Sequence, residues 1–186
     1  DLLESRGLGD VYKRQHQVLT LTSEPSLMKW SYNPTWAKTP MNLINARSET
    51  LSIKPSFKMA KRCLIVADGW YEWLRTENKK QPYFFHMNDS LFNFAGIYTE
   101  YNGEMGCAII TKDAIQKLST VHHRMPIIIA DDEADSWLSG EDVFDSKSSE
   151  NIEFYPVSTM VNSPRNNDIG CIAVSYTHLR AHETPA

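Results

Sequence analysis

Cysteine is scarce in this chain: Cys63, Cys107 and Cys171 are its three, odd in number and far apart. That spacing excludes a disulfide framework and a CxxC-type metal site, and the aliphatic neighbours of each suit a buried, inert thiol. Positive charge is not in excess either. A formal net charge of −4 excludes duplex binding through global attraction, so any nucleic-acid site must be a local basic patch. No apolar run reaches the roughly 18 residues needed to cross a bilayer. The first residues also lack the charged, apolar, small succession of a secretory signal, so a cytoplasmic protein is expected. Internal repeats and long low-complexity stretches are missing as well.

The 186 residues, 41% of them hydrophobic and 11% aromatic, suit one α/β or α+β domain with an ordinary core. The two ends differ from the middle. Residues 1–15 (DLLESRGLGDVYKRQ) hold no sustained period, and residues 175–186 (SYTHLRAHETPA) are polar and end without cap or strand. Both resemble translated adapter sequence, so the domain is expected over residues 16–174. His178 and His182 lie in that tail; a pair supplies two ligands where zinc needs three or four, and neither a metal nor another cofactor is expected.

Between the ends, apolar and polar residues alternate. Residues 62–66, 70–74, 82–87, 92–98 and 106–111 are short β-branched or aromatic runs separated by Asp-Gly, charged or Asn-Gly turns, the pattern of a mostly antiparallel sheet. Residues 112–122 place Ile115, Leu118 and Val121 at spacings of three behind Thr111, which predicts a helix with a threonine N-cap, ended by Pro126. Residues 127–129 resume a strand. Residues 131–138 predict a second short helix with acids in its first turn, and 139–151 a polar surface loop.

Several clusters could carry chemistry. Asn45, Arg47 and Glu49 gather an amide, a guanidinium and a carboxylate at an expected strand end, able to organise phosphate or sugar oxygens; an Arg47–Glu49 ion pair with Asn45 in a turn is the plainer alternative. Lys54, Lys58 and Lys61 fall at i, i+4, i+7 behind Pro55, either one basic helix face or a solvated one. In Gly69-Trp70-Tyr71-Glu72-Trp73, a period of two puts Glu72 on the face of Trp70. A carboxyl beside a buried indole is desolvated, and its pKa rises toward general-acid range; on an exposed face it would be ordinary. His122 can transfer protons near neutrality and Arg124 can meet a phosphate, though a lone histidine also serves structure. Around the Pro34 turn, Trp30 and Trp36 offer rings to an unpaired base or to the core.

Taken in order, WSYNPTWA (30–37), INARSET (44–50), KPSF (54–57), RCLIVADGWYEW (62–73), KQPYFF (80–85), FAGIY (94–98), CAIIT (107–111), VHHRMP (121–126) and YPVS (155–158) with Asn162 resemble the SOS-response-associated peptidase family of abasic-site-processing proteins. The resemblance implies an α+β fold with a strongly curved, barrel-like, mostly antiparallel sheet, and a positively charged channel for single-stranded DNA. It also implies a thiazolidine crosslink between an N-terminal cysteine and the ring-opened abasic sugar, together with self-removal of the initiator methionine. By position, Asn45 matches the asparagine that orients sugar and N-terminal residue, Glu72 the acid/base carboxylate and His122 the catalytic histidine. Arg47, Thr111 and Arg124 match phosphate-holding positions, and Trp36 an aromatic near the nucleotide backbone. The family's Met-Cys-Gly-Arg start has no counterpart here, and Ser31 stands where the family usually has glycine. The expected chain is therefore a monomer that meets single-stranded DNA but has no nucleophile for the crosslink. Two alternatives remain open: a non-covalent single-strand binder, and an ordinary cysteine protease pairing Cys107 or Cys63 with His122.

Overall fold

The computed structural model describes residues 17–175, apart from positions 78, 89, 146 and 164. Expectations for residues 1–15 and 176–186, His178 and His182 included, lie outside the described residues. The middle of the chain folds as its alternation predicts: β4 (Lys61–Ala67), β5 (Gly69–Arg75), β6 (Lys80–His86), β7 (Phe92–Tyr101) and β8 (Glu104–Asp113) contain or nearly contain the five expected runs. Before them come β1 (Gln17–Leu21), β2 (Pro25–Lys29) and the short β3 (Asn45–Arg47). After them follow β9 (Arg124–Pro126), β10 (Ile128–Ile129) and β11 (Glu153–Pro156).

The main sheet closes on itself. β7 pairs antiparallel with β4, β4 with β1 and β1 with β2, while β8 pairs antiparallel with β7 and parallel with β2. The last seam rests on one register pair, Lys29 with Gly106. A side chain at Gly106 would put its Cβ 2.3 Å from the Ser31 carbonyl oxygen, so only glycine lets the two backbones meet there. β3 runs parallel to β8 beyond this seam, and β9 pairs with the end of β8. β5, β6 and β11 form a separate three-stranded antiparallel sheet. The fold is thus α+β, strand-rich and ring-like, with few short helices.

Strands β4, β7 and β8 are buried on both faces, which explains their near-continuous apolar sequence. Cys63, Ile65, Phe94, Cys107 and Ile109 join Trp70, Phe85 and Leu118 in one core cluster. Their alternates Leu64, Ala95, Ile97, Ala108 and Ile110 join Tyr32, Phe57 and Trp137 in another. Trp137 comes from α2 (Ala134–Ser139), which a 3-10 turn at Asp131–Glu133 leads into and Gly140, at φ 111°, ends. This agrees with the predicted second helix.

The predicted helix over 112–122 is corrected to a single turn, α1 (Gln116–Ser119). Lys112 and Asp113 stay in β8 because β9 offers them strand partners, Met125 and Arg124. Thr111 is therefore a strand residue and not a cap, and Pro126 lies in β9. The apolar spacing still had a cause: Leu118 and Val121 are buried. The lysine face is also corrected, since a 3-10 turn covers only Pro55–Phe57 and Lys61 opens β4. Among the described residues, no helix is long and apolar enough to cross a membrane.

Candidate active site and nucleic-acid cleft

Glu72 projects from β5 with Trp70, as the period of two predicts, and is only 3% exposed. Trp70 stacks on Phe85 at 4.9 Å and meets Phe92 and Phe94 edge-on, so this face is apolar. Burial pushes the Glu72 carboxyl well above its ordinary range. Its Oε2 lies 3.9 Å from Nδ1 of His122, close enough for an ion pair. Burial also lowers the His122 pKa, so desolvation works against charge on both groups and the pair is an acid facing a base.

The chain fixes His122 locally. Its backbone N–H donates to Leu118 O of α1 at 3.2 Å, and its Nδ1 accepts from the Arg124 N–H at 3.2 Å, with the Arg124 carbonyl oxygen 3.1 Å away. Nδ1 thus faces both a backbone donor and a backbone acceptor of Arg124, which hold the ring in place in either tautomer.

Arg124 also reaches the other way. Its guanidinium is 7% exposed and donates to both carboxylate oxygens of Glu49, at 2.7 and 3.0 Å. It donates as well to Asp113 at 2.6 Å and to the Thr111 carbonyl at 2.8 Å, with the Thr111 hydroxyl 3.3 Å away. The same residue lines a cleft of about 210 Å³, together with Asn45, Arg47, Thr111, Lys54 and Ser56 over an apolar floor of Met41, Leu43, Ala46 and Phe57. Among the described residues, three cations and no carboxylate line it, which suits an anion carried on a partly apolar ligand. Trp36, 58% exposed, donates its indole N–H to Pro55 O at 3.4 Å, next to Lys54 and Ser56.

Four of the seven residues singled out from sequence, Asn45, Arg47, Thr111 and Arg124, therefore share one cleft. Glu72 and His122 share a buried pair joined to that cleft through the Arg124 backbone, and Trp36 stands beside Pro55. Sequence reasoning missed Ser56 and did not assign Glu49 to Arg124, 75 positions away. Lys54 had been noticed only as part of a basic face. Cys63 and Cys107 are fully buried; burial pushes the Cys107 thiol up to about 12 and the Cys63 thiol well above its ordinary value, the wrong direction for a nucleophile.

A family model described as SOS response associated peptidase (SRAP) matches residues 11–164. The chain is 38% identical over 176 residues to the abasic site processing protein YoqW of Bacillus subtilis (strain 168), an alignment covering 81% of this chain and 79% of that one. It is 35% identical over 187 residues to the abasic site processing protein HMCES of Gallus gallus, covering 78% of this chain and 56% of the longer relative. A crystal structure of a protein from Bacteroides thetaiotaomicron superposes with a TM-score of 0.73 at 27% identity, over 87% of this chain and 82% of that one. One from Bordetella bronchiseptica gives 0.67 at 20% identity, over 77% and 85%, a likeness of fold alone.

Proposed function

Because the chain belongs to the SOS response associated peptidase family, we propose that it processes abasic sites in DNA, gripping a single strand in the Asn45–Arg124 cleft. The observation that carries this reading is the junction of two chemistries at Arg124. Its guanidinium lines a cationic cleft while its backbone holds His122 against the buried acid Glu72. Arg47 and Arg124 meet phosphates, Asn45 and Thr111 meet sugar or phosphate oxygens, and Trp36 stacks at the rim.

In the covalent form of this function, the amine of an N-terminal cysteine condenses with the sugar aldehyde and expels one water. The thiol then adds to the imine carbon and closes a thiazolidine. Neutral Glu72 donates the proton that the departing oxygen needs, and His122 accepts and returns protons. The same acid/base pair would serve removal of an initiator methionine. Cys63, Cys107 and Cys171 are internal and buried, so none supplies amine and thiol together. None of these three is therefore the crosslinking residue, and the adduct requires a cysteine with a free amine ahead of β1, which a Met-Cys-Gly-Arg start joined there supplies.

The test combines fluorescence anisotropy on intact and abasic single strands with a denaturing gel. The chain as given should bind both in a salt-sensitive way and leave no denaturant-resistant band, Arg47→Ala should weaken binding, and the extended chain should leave a band with the abasic strand only. Binding indifferent to salt and to Arg47→Ala would sink the cleft assignment. An extended chain that crosslinks equally well after Glu72→Gln would sink the acid.

A further inference from the structure

Arg124 lines the cationic cleft, yet its charge is already taken. Glu49 meets it with both carboxylate oxygens in a fork-to-fork arrangement, and Asp113 adds a third anionic oxygen. Two carboxylates against one guanidinium leave this corner with no surplus positive charge. The two carboxylates are not sealed in: the Glu49 side chain is 48% exposed and that of Asp113 is 87% exposed, against 7% for Arg124. Glu49 sits on the 3-10 turn Ser48–Thr50, immediately after the cleft residues of β3. It can therefore swing into water without disturbing a long element.

Planar bidentate pairing is also how arginine binds a phosphate. A phosphodiester arriving at Arg124 must meet the nitrogens that Glu49 now holds. We propose that Glu49 is a built-in competitor for DNA phosphate, so that strand binding at Arg124 is an exchange of one anion for another. The exchange lowers affinity for any single weak anion, and it favours a polyanion that Arg47 and Lys54 hold at the same time. Glu49 thus sets how selective the cleft is for a strand over a free phosphate. This inference rests on the cleft being the strand-binding site.

The test compares the full chain with Glu49→Gln and, separately, Arg47→Ala, using fluorescein-labelled oligothymidine over a salt series, with melting curves recorded for each. Glutamine keeps the shape and can still accept from Arg124, but it removes one of the two carboxylates, so that only Asp113 is left to balance the guanidinium. Glu49→Gln should bind about threefold to tenfold more tightly, and the slope of log K against log salt should steepen by about 0.7, since one more phosphate is neutralised without a cation being taken up by a released carboxylate. Inorganic phosphate should also inhibit the variant at lower concentration. In the unaltered chain, oligothymidine should move the Glu49 carboxyl pKa, read by carbon NMR, up toward its ordinary value; this holds even if the variant folds poorly. Binding by Glu49→Gln that is unchanged or weaker, with Arg47→Ala still weakening it, overturns the competitor role and leaves the cleft assignment standing. If Arg47→Ala also has no effect, the cleft itself is wrong, and the competitor role falls with it.

Discussion

Glu72→Gln should make the protein more stable, and increasingly so as the pH rises. Glutamine keeps the shape of the side chain but has no proton to lose. Glu72 is 3% exposed and its folded pKa lies well above 4.5. Between those two values the unfolded chain has released this proton and the native chain has not, so stability falls with rising pH by one proton's worth, about 1.4 kcal/mol per pH unit. For a domain of this size that is about 3–5 °C of Tm per pH unit. His122 acts with the opposite sign: its folded pKa is lowered below 6.5, so its contribution to stability is lost as the pH falls from that value. Above 6.5 the imidazole is neutral in both states and only the Glu72 slope remains. Paired melting curves of the unaltered chain and Glu72→Gln from pH 5 to 8 isolate that slope, because the other groups cancel in the difference. A difference in Tm that stays flat across this range would refute the buried neutral acid, and with it the argument for general-acid chemistry.

Gly106→Ala should cost about 2–3 kcal/mol by urea titration, since its Cβ would stand 2.3 Å from the Ser31 carbonyl oxygen and a strand must move. Arg124→Met should cost about 2–3 kcal/mol, less than the roughly 3–5 kcal/mol of breaking a fully buried ion pair, because Glu49 and Asp113 can rehydrate; its melting curve decides. Trp36→Ala should weaken oligothymidine binding by about 1–3 kcal/mol in anisotropy, with melting little changed, as expected of an exposed stacking ring. Iodoacetamide at neutral pH should not label Cys107 in the folded chain, given a thiol pushed up to about 12; fast labelling would reopen the cysteine-protease alternative.

The strands from β4 to β8 were legible because alternation and turn residues state them directly. The helix over 112–122 was overread because Ile115, Leu118 and Val121 signal a buried face, while the competing partner for Lys112 and Asp113 is β9, which lies beyond the turn. β1 and β2 carried too little β-branched character to stand out, and nothing near Gly106 reveals that Ser31 comes against it. Within the site, period-two geometry foresaw the shared face of Trp70 and Glu72. The approach of Glu72 to His122 rested on family strings and not on spacing. The choice of Arg124 by Glu49 was invisible for a simple reason: Arg47 is two positions from Glu49, whereas Arg124 is 75 positions away and is brought near only because β3 and β9 both pair with β8.

The closing of the ring at positions 29 and 106 has a kinetic consequence. The β5–β6 and β7–β8 hairpins unite neighbours in sequence and lose little loop entropy, whereas the β2–β8 seam waits on distant partners. A chain caught before closure exposes the unpaired N–H and C=O rows of β2 and β8 to solvent, ready templates for another chain. Dilute refolding should therefore recover more native protein than concentrated refolding, with losses appearing as aggregate formed during the interval before the last strand finds its place.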